Sequence, residues 1–263
     1  MSWTIDRLKA LKGEEKWAML TAYDALSAAW IEAAELPAIL VGDSLGMTAL
    51  GYESTLPVSM DEMLHHAAAV ARGVEEAMVI ADMPFMSYQA SIAQGVENAG
   101  RFIKEAFVDA VKIEGGVIRA PLIETLVNNG IPVLGHIGLT PQSLKTMGGY
   151  RVQGKDDEAA RQLMDDAMAV EQAGAFALVL ECIPASLAQQ ITAALSIPTV
   201  GIGAGIGCDA QVLVISDLLG LSKKPHPRFV RSFAQLEPQI GEAIRDFKAE
   251  VAKGTFPSEE QSY

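Results

Sequence analysis

The chain has 263 residues, half of them apolar, with 33 acidic against 20 basic side chains and a net charge of −13. That length and apolar content fill one sizeable core, and an acidic excess spread along the chain argues against binding phosphate backbones or anionic membranes. Two cysteines, Cys182 and Cys208, make neither a disulfide framework nor a zinc pattern, and the polar N-terminus lacks a signal-peptide core. A cytoplasmic protein with free thiols is expected. The stretch between Glu181 and Asp209 carries no charge, but Pro184, Gln189, Gln190, Pro198 and several glycines interrupt it, which excludes a membrane span.

Residues 4–12 (TIDRLKALK) predict a short amphipathic helix with Thr4 as its N-cap. A strand at 19–24 (MLTAYD) ends in Asp24; an alanine-rich helix follows and breaks at Pro37. The next strand, 38–43 (AILVGD), ends in Asp43, with Ser44 and a glycine-bearing loop behind it. A helix over 60–72 leads to a strand at 78–82 (MVIAD) ending in Asp82, and a helix over 91–107 leads to 110–114 (AVKIE). On this last strand alternation puts Lys112 and Glu114 on one face and Val111 and Ile113 on the other. Such charges on an apolar strand are costly to bury without a partner, a metal or a ligand, and Glu114 is expected to pair with Lys112 as well as to serve the site.

A helix over 118–129 precedes a strand at 132–136 (PVLGH), and a loop rich in Gly, Thr and Gln precedes a long helix over 157–173. Then come a strand at 177–181 (ALVLE), a helix from about 185, the segment 198–205 (PTVGIGAG), a last strand at 212–216 (VLVIS), a helix over 234–252 and a loose tail. Eight short apolar runs separated by helices predict a (β/α)8 TIM barrel in one domain, 1–263, with a short N-terminal helix and a C-terminal helical extension. An open doubly wound sheet is the alternative, but it would carry a glycine fingerprint after its first strand, and none is there.

The strand ends read Asp24, Asp43, Asp82, Glu114, His136 and Glu181. A barrel gathers these ends at one mouth, where so many carboxylates need a cation, a proton or Lys112 to coexist. Asp24 reads as a helix cap. Asp43 and Asp82 could also be caps, yet two short hard-oxygen donors on neighbouring strands suit Mg²⁺. His136 could be a satisfied buried histidine. Glu181 follows three apolar residues, a setting that can raise a carboxylate toward the pKa of a general base. His65 and His66 are adjacent on a helix and read as structural; His226, between prolines, reads as a surface residue. The glycines at 201–205 could cradle phosphate, admit a flat ligand or make a tight bend, and no neighbouring Lys, Arg or Ser favours the phosphate.

At these residues the sequence resembles the ketopantoate hydroxymethyltransferase family. The matching segments are TAYD at 21–24, VGDSLGM at 41–47, STLPV at 54–58, ADMPFMSY at 81–88 and VKIEGG at 111–116. GHIGLTPQS at 135–143, GGYRVQG at 148–154, LECIP at 180–184 and GIGAG at 201–205 follow in the family's order. The resemblance implies a barrel of the phosphoenolpyruvate/pyruvate superfamily, commonly a homodecamer, acting on small molecules and on neither nucleic acid nor membrane. It implies transfer of a one-carbon unit from 5,10-methylenetetrahydrofolate to 3-methyl-2-oxobutanoate through a Mg²⁺-stabilised enolate, in pantothenate synthesis. It further implies that Asp43, Asp82 and Glu114 hold the metal. Asp43, Ser44, Asp82, Lys112 and His136 would bind the oxo acid, and Glu181 would accept its C3 proton.

Two positions depart from the family. Phe107-Val108 replaces a usual Gly-Ala in the turn before VKIEGG, and Ala210 replaces a usual glycine in what reads as a loop. An isocitrate-lyase-like C–C lyase would share the metal acids but would bring a KKCGH-like cysteine loop, which is missing. A non-catalytic barrel would be expected to lose one of Asp43, Asp82, Lys112 or Glu181, and all four are present.

Overall fold

The structure, a computed structural model, describes residues 2–221 and 227–263, so His226 lies outside the described residues. Eight strands form: β1 Trp17–Thr21, β2 Ala38–Val41, β3 Met78–Asp82, β4 Ala110–Glu114, β5 Val133–Gly138, β6 Ala177–Glu181, β7 Thr199–Ile202 and β8 Ala210–Leu213. They pair in parallel in chain order, and β8 returns to β1 through Trp17↔Ala210 and Met19↔Val212, closing the barrel and excluding the open sheet.

The helices are α1 Ile5–Ala10, α2 Ala25–Ala33, α3 Leu45–Thr48, α4 Met60–Ala71, α5 Ile92–Glu105, α6 Ala120–Asn128, α7 Leu144–Met147, α8 Asp157–Gln172, α9 Ala185–Ala194, α10 Ile215–Leu218 and α11 Leu236–Lys253. Their starts follow the local chemistry. Thr4 accepts from the Arg7 amide at 3.3 Å, and Asp24 caps α2 through the Ser27 amide at 2.7 Å. At α4, Ser59 and Glu62 make a reciprocal capping box, which satisfies two otherwise orphaned amides. His66 on α4 bonds the Tyr23 carbonyl at 2.6 Å, a structural role, while His65 faces solvent.

The chain divides into two compact units, 1–214 holding the barrel and 215–263 holding α10 and α11. In the second unit α11 has no buried residue, and Phe247 meets Phe256 edge to face at 5.3 Å. The tail expected to be loose contains a 3-10 turn, Glu259–Gln261. Among the described residues, no helix is long and apolar enough to cross a membrane.

Several boundaries differ from the sequence reading: β1 stops at Thr21, short of Asp24, β2 stops at Val41, short of Asp43, and β5 runs past His136 to Gly138. β8 begins at Ala210 because its register on β1 is set there, and 215–216 already belong to a helix. The alanine that departs from the family is therefore a core residue of a strand, not part of a loop. The segment 198–205 holds all of β7 and then a bend, with Gly203 at φ +64° and Gly205 at φ +78°.

Alternation inside the barrel sorts its filling by height. Met78 and Ile80 precede Asp82; Ala110 precedes Lys112 and Glu114; Leu134 precedes His136; Ala177 and Val179 precede Glu181. The first members of these rows join one apolar cluster with Leu40, Val200 and Val212. Helix α1 seals its N-terminal end with fully buried Leu8, and Trp3, Ile5 and Trp17 pack alongside. The apolar floor thus precedes the charged layer, and Asp82, Lys112, Glu114 and His136 stand toward the C-terminal mouth, while the buried pair Thr199 and Asp209 lies at the N-terminal ends of β7 and β8.

Candidate active site

Strand register sets the polar layer. Asp82 lies opposite Lys112, Glu114 opposite His136, and Gly138 opposite Glu181. Asp43 follows β2, with its amide donating to Asp82 Oδ2 at 3.0 Å. Lys112 Nζ ion-pairs with Asp82 Oδ1 across the strands, so its partner is not Glu114 on its own strand as the sequence suggested. The reason is geometric: residues two apart on a strand project in parallel, whereas a register partner stands directly beside. Neither Asp43 nor Asp82 caps a helix, since Ser44 precedes α3 without a side-chain cap bond and both Asp82 oxygens are engaged elsewhere.

Asp43, Asp82, Lys112, Glu114 and His136 are all buried. Burial first, then Asp82 and Glu114, push the Asp43 carboxyl well above its ordinary range, because three carboxylates share one ammonium. Burial alone would lower the Lys112 pKa, but Asp82, Glu114 and Asp43 together hold it above the ordinary lysine value, so it stays charged. His136 stands 3.1 Å from Glu181 Oε2 by Nε2 and 3.5 Å from Glu114 Oε1 by Nδ1, though neither contact is aligned as a hydrogen bond. Burial and Lys112 pull its pKa down, and the two carboxylates overcome them, raising it to about 9. Glu181 is therefore not in a purely apolar setting. It is half-buried at the rim, held on one side by an imidazolium.

The backbone around Glu181 is tightly specified. Gly138 sits at φ +94°, where a Cβ would come within 2.2 Å of the Glu181 carbonyl oxygen, so only glycine fits. Cys182 follows at φ +48°, a left-handed conformation that turns the chain sharply behind the carboxylate. Burial, then Glu181, raise the Cys182 thiol to about 12, which leaves it protonated and unreactive. At the opposite wall Ser44 Oγ lies 2.9 Å from Tyr23 Oη, which in turn accepts from Thr21 Oγ1 at 2.9 Å.

The residue that sequence reasoning missed is Gln142, in the 3-10 turn Pro141–Ser143 after β5. Its backbone amide donates to Glu114 Oε2 at 3.0 Å, and its Nε2 donates to Asp43 Oδ2 at 3.0 Å and the Met83 carbonyl at 2.9 Å. Its Oε1 accepts from Tyr88 Oη at 2.8 Å and Gln89 Nε2 at 2.9 Å. One residue thus ties two of the candidate metal carboxylates, Glu114 by its backbone amide and Asp43 by its side chain, to the loop after β3. Its only signal in the sequence was its place inside GHIGLTPQS. Tyr150 was also passed over; burial, then Glu181 and Asp43, raise its phenol, which puts it within their field.

The donor set suits a small hard cation. The carboxylates outnumber the buried ammonium, and Glu114 Oε1 is buried with no aligned hydrogen-bond donor. Among the described residues no three His, Cys, Asp or Glu side chains are drawn together as a ready metal cage. Two carboxylates completed by water and substrate oxygens is the mode Mg²⁺ favours.

A closed parallel barrel with acids, a lysine and a histidine converging on the C-terminal strand ends has the layout of a TIM-barrel enzyme. Solved barrels of the same fold include 2,3-dimethylmalate lyase, a PEP mutase/isocitrate lyase superfamily member (TM-score 0.61, 16% identity, covering all of this chain and 92% of that one). Phosphonopyruvate hydrolase is another (TM-score 0.64, 13% identity, 100% and 92% covered). The sequence is more specific: a profile of ketopantoate hydroxymethyltransferases matches residues 2–259, and the chain belongs to that family. It is 55% identical over 261 residues to 3-methyl-2-oxobutanoate hydroxymethyltransferase of Carboxydothermus hydrogenoformans, covering 99% of this chain and 95% of the relative. The enzyme of the same name from Syntrophus aciditrophicus is 54% identical over 252 residues, covering 96% and 93%. The chain is therefore a transferase, and the lyase and scaffold readings fall away.

Proposed function

We propose that this chain transfers a hydroxymethyl group from 5,10-methylenetetrahydrofolate to 3-methyl-2-oxobutanoate, giving ketopantoate for pantothenate synthesis. The observation that carries the reading is a buried carboxylate-and-lysine floor with a half-buried glutamate at its rim. Asp43 and Asp82 would hold Mg²⁺, with Glu114 completing the sphere. Held there, Mg²⁺ would supply Lewis acidity that makes the C3 proton of the oxo acid more acidic.

The chain's own groups do the rest. Lys112, permanently charged, offers a fixed cation to the oxygens where negative charge grows. Ser44, oriented by Tyr23, can donate to the substrate carboxylate. His136 stands as a charged neighbour to Glu181 Oε2, which leaves the other carboxylate oxygen for the C3 proton. Glu181 takes that proton, the C3 carbanion equivalent attacks the one-carbon unit, and water supplies the new hydroxyl as tetrahydrofolate leaves. We extend the reading to a cytoplasmic homo-oligomer, a homodecamer by resemblance, which sedimentation would test.

The deciding experiment follows deuterium exchange at C3 of 3-methyl-2-oxobutanoate with Mg²⁺ and no folate. Glu181→Gln should bind oxo acid normally and exchange roughly two to four orders of magnitude more slowly, the usual worth of a positioned base. Parental exchange in a variant unable to form ketopantoate would move Glu181 to the second half-reaction. Absence of both exchange and ketopantoate formation in the parent would overturn the function itself.

A further inference from the structure

A cavity of about 330 Å³ opens beside the charged floor, between the loops that follow β3, β4 and β5. Glu114 and Gln142 line its inner end, so it borders the proposed reaction centre. Its walls are apolar and flat: Leu56, Phe85 and the ring of Tyr88, the last held in place by Gln142. Its outer lining carries Arg119 and Lys145, the two cations on the cavity.

Both cations face the cavity in a chain of net charge −13. Neither has an ion-pair or side-chain hydrogen-bond partner among the described residues, whereas Lys12, Arg101 and Lys112 are each paired with a carboxylate. Arg119 is nevertheless built into the wall. Its Cγ lies where a Cβ on Gly115 would come within 2.7 Å, and its guanidinium stands 5.5 Å from the Tyr88 ring centroid. A glycine is thus required at position 115, at φ +120°, partly to let the arginine stem cross it. A guanidinium positioned this way, with its donors unspent, is suited to a carboxylate.

From this juxtaposition we infer that the cavity seats the benzoylglutamate arm of the one-carbon donor, its flat ring against exposed Phe85 and its carboxylates on Arg119 and Lys145. The inference rests on the function proposed above. An apolar slot with few convergent polar groups is the usual build of such a subsite, and this volume takes one arm of the ligand rather than all of it. The reactive end of the donor would then project inward past Gln142 toward the oxo acid, while the arm stays at the cationic rim.

The test uses Arg119→Met and Lys145→Met, which keep the stems and remove the charges. Both positions are at least partly exposed, so thermal melting should show intact folds. Equilibrium titration with tetrahydrofolate should weaken about tenfold or more for each variant, the worth of a charge-assisted hydrogen bond. The parent should also prefer the glutamylated donor over 5,10-methylenetetrahydropteroate, which lacks the glutamate, and the variants should lose most of that preference. Parental tetrahydrofolate affinity and parental preference in both variants would overturn the assignment. So would a rise in KM for the oxo acid alone, which would place its carboxylate in this cavity. Deuterium exchange at C3 needs no folate and reports separately on the reaction reading. If exchange proceeds in the parent and tetrahydrofolate binding ignores both substitutions, the subsite fails and the function stands.

Discussion

Replacing Gln142 with methionine should loosen the mouth of the barrel without touching its floor. Gln142→Met keeps the length of the side chain and the backbone bond to Glu114, and it deletes four hydrogen bonds, to Asp43, Met83, Tyr88 and Gln89. The bond to the Asp43 carboxylate is worth about 1.5–3 kcal/mol, and the neutral ones about 1 kcal/mol each. The Met83 carbonyl would be stranded in a buried setting, whereas the Tyr88 hydroxyl keeps the Glu114 backbone as a partner and Asp43 can recover part of its loss by keeping a proton. The expected cost is about 3–5 kcal/mol, or roughly 6–15 °C in melting temperature for a barrel of this size. Differential scanning calorimetry measures it directly. A fall of less than 2 °C, or so, would refute the view that this amide organises the acids, since no single lost bond in the set is that small. The companion variant Gln142→Glu sets a carboxyl against Asp43 and Glu114. Its folded pKa should lie above the unfolded value of about 4.3, so the loss of stability grows as pH rises past that value and fades as pH falls back toward it.

Asp82→Asn should weaken Mg²⁺ binding markedly in calorimetric titration of the folded variant, at a cost in stability because buried Lys112 loses its ion-pair partner; unchanged affinity would remove Asp82 from the metal site. Lys112→Met should lower oxo-acid affinity and turnover together and cost about 3–5 kcal/mol by stranding Asp82; full activity in a merely less stable variant would make the lysine structural. Phe107→Gly should raise stability by up to about 1 kcal/mol, since Phe107 is exposed and held at φ +58°, where a side chain is penalised; a lower melting temperature would contradict this. Asp209 is held below its usual range: burial alone would raise it, but the Thr199 amide and Lys12 outweigh that. Its contribution is thus present above about pH 4 and lost as pH falls through the folded value, so Asp209→Asn should differ most from the parent near neutrality and converge with it in acid.

The barrel was legible in the sequence because most strands are short apolar runs ended by a polar residue, and the helices announce themselves by caps such as Asp24 and Ser59. Where a run lacked such an end, the reading slipped. At 210–216 the apolar stretch fits strand or helix equally, and only pairing with Trp17 decides that the strand starts at Ala210. Counting strand ends gathered Asp43, Asp82, Lys112, Glu114, His136 and Glu181, but alternation along one strand could not say that Lys112 would turn to Asp82. That depends on the register between strands, which is set by the closed ring as a whole. Gln142 was hidden for a related reason: nothing local tells a loop glutamine that it will fold back over the mouth.

The closure of β8 on β1 also has a consequence for how the chain is made. Trp17 leaves the ribosome long before its partner at Ala210 is made. Until then β1 has one pairing edge open, a liability that a finished barrel abolishes. Lys12 reaches the Thr192 carbonyl and Asp209, and Lys16 reaches the Cys208 carbonyl, so the first turn of the chain is stitched to the last part of the ring. These bonds cannot form on a nascent chain. They fasten the seam only once the eighth strand arrives, which makes the two ends of the barrel the last parts of the sequence to learn whether folding has succeeded.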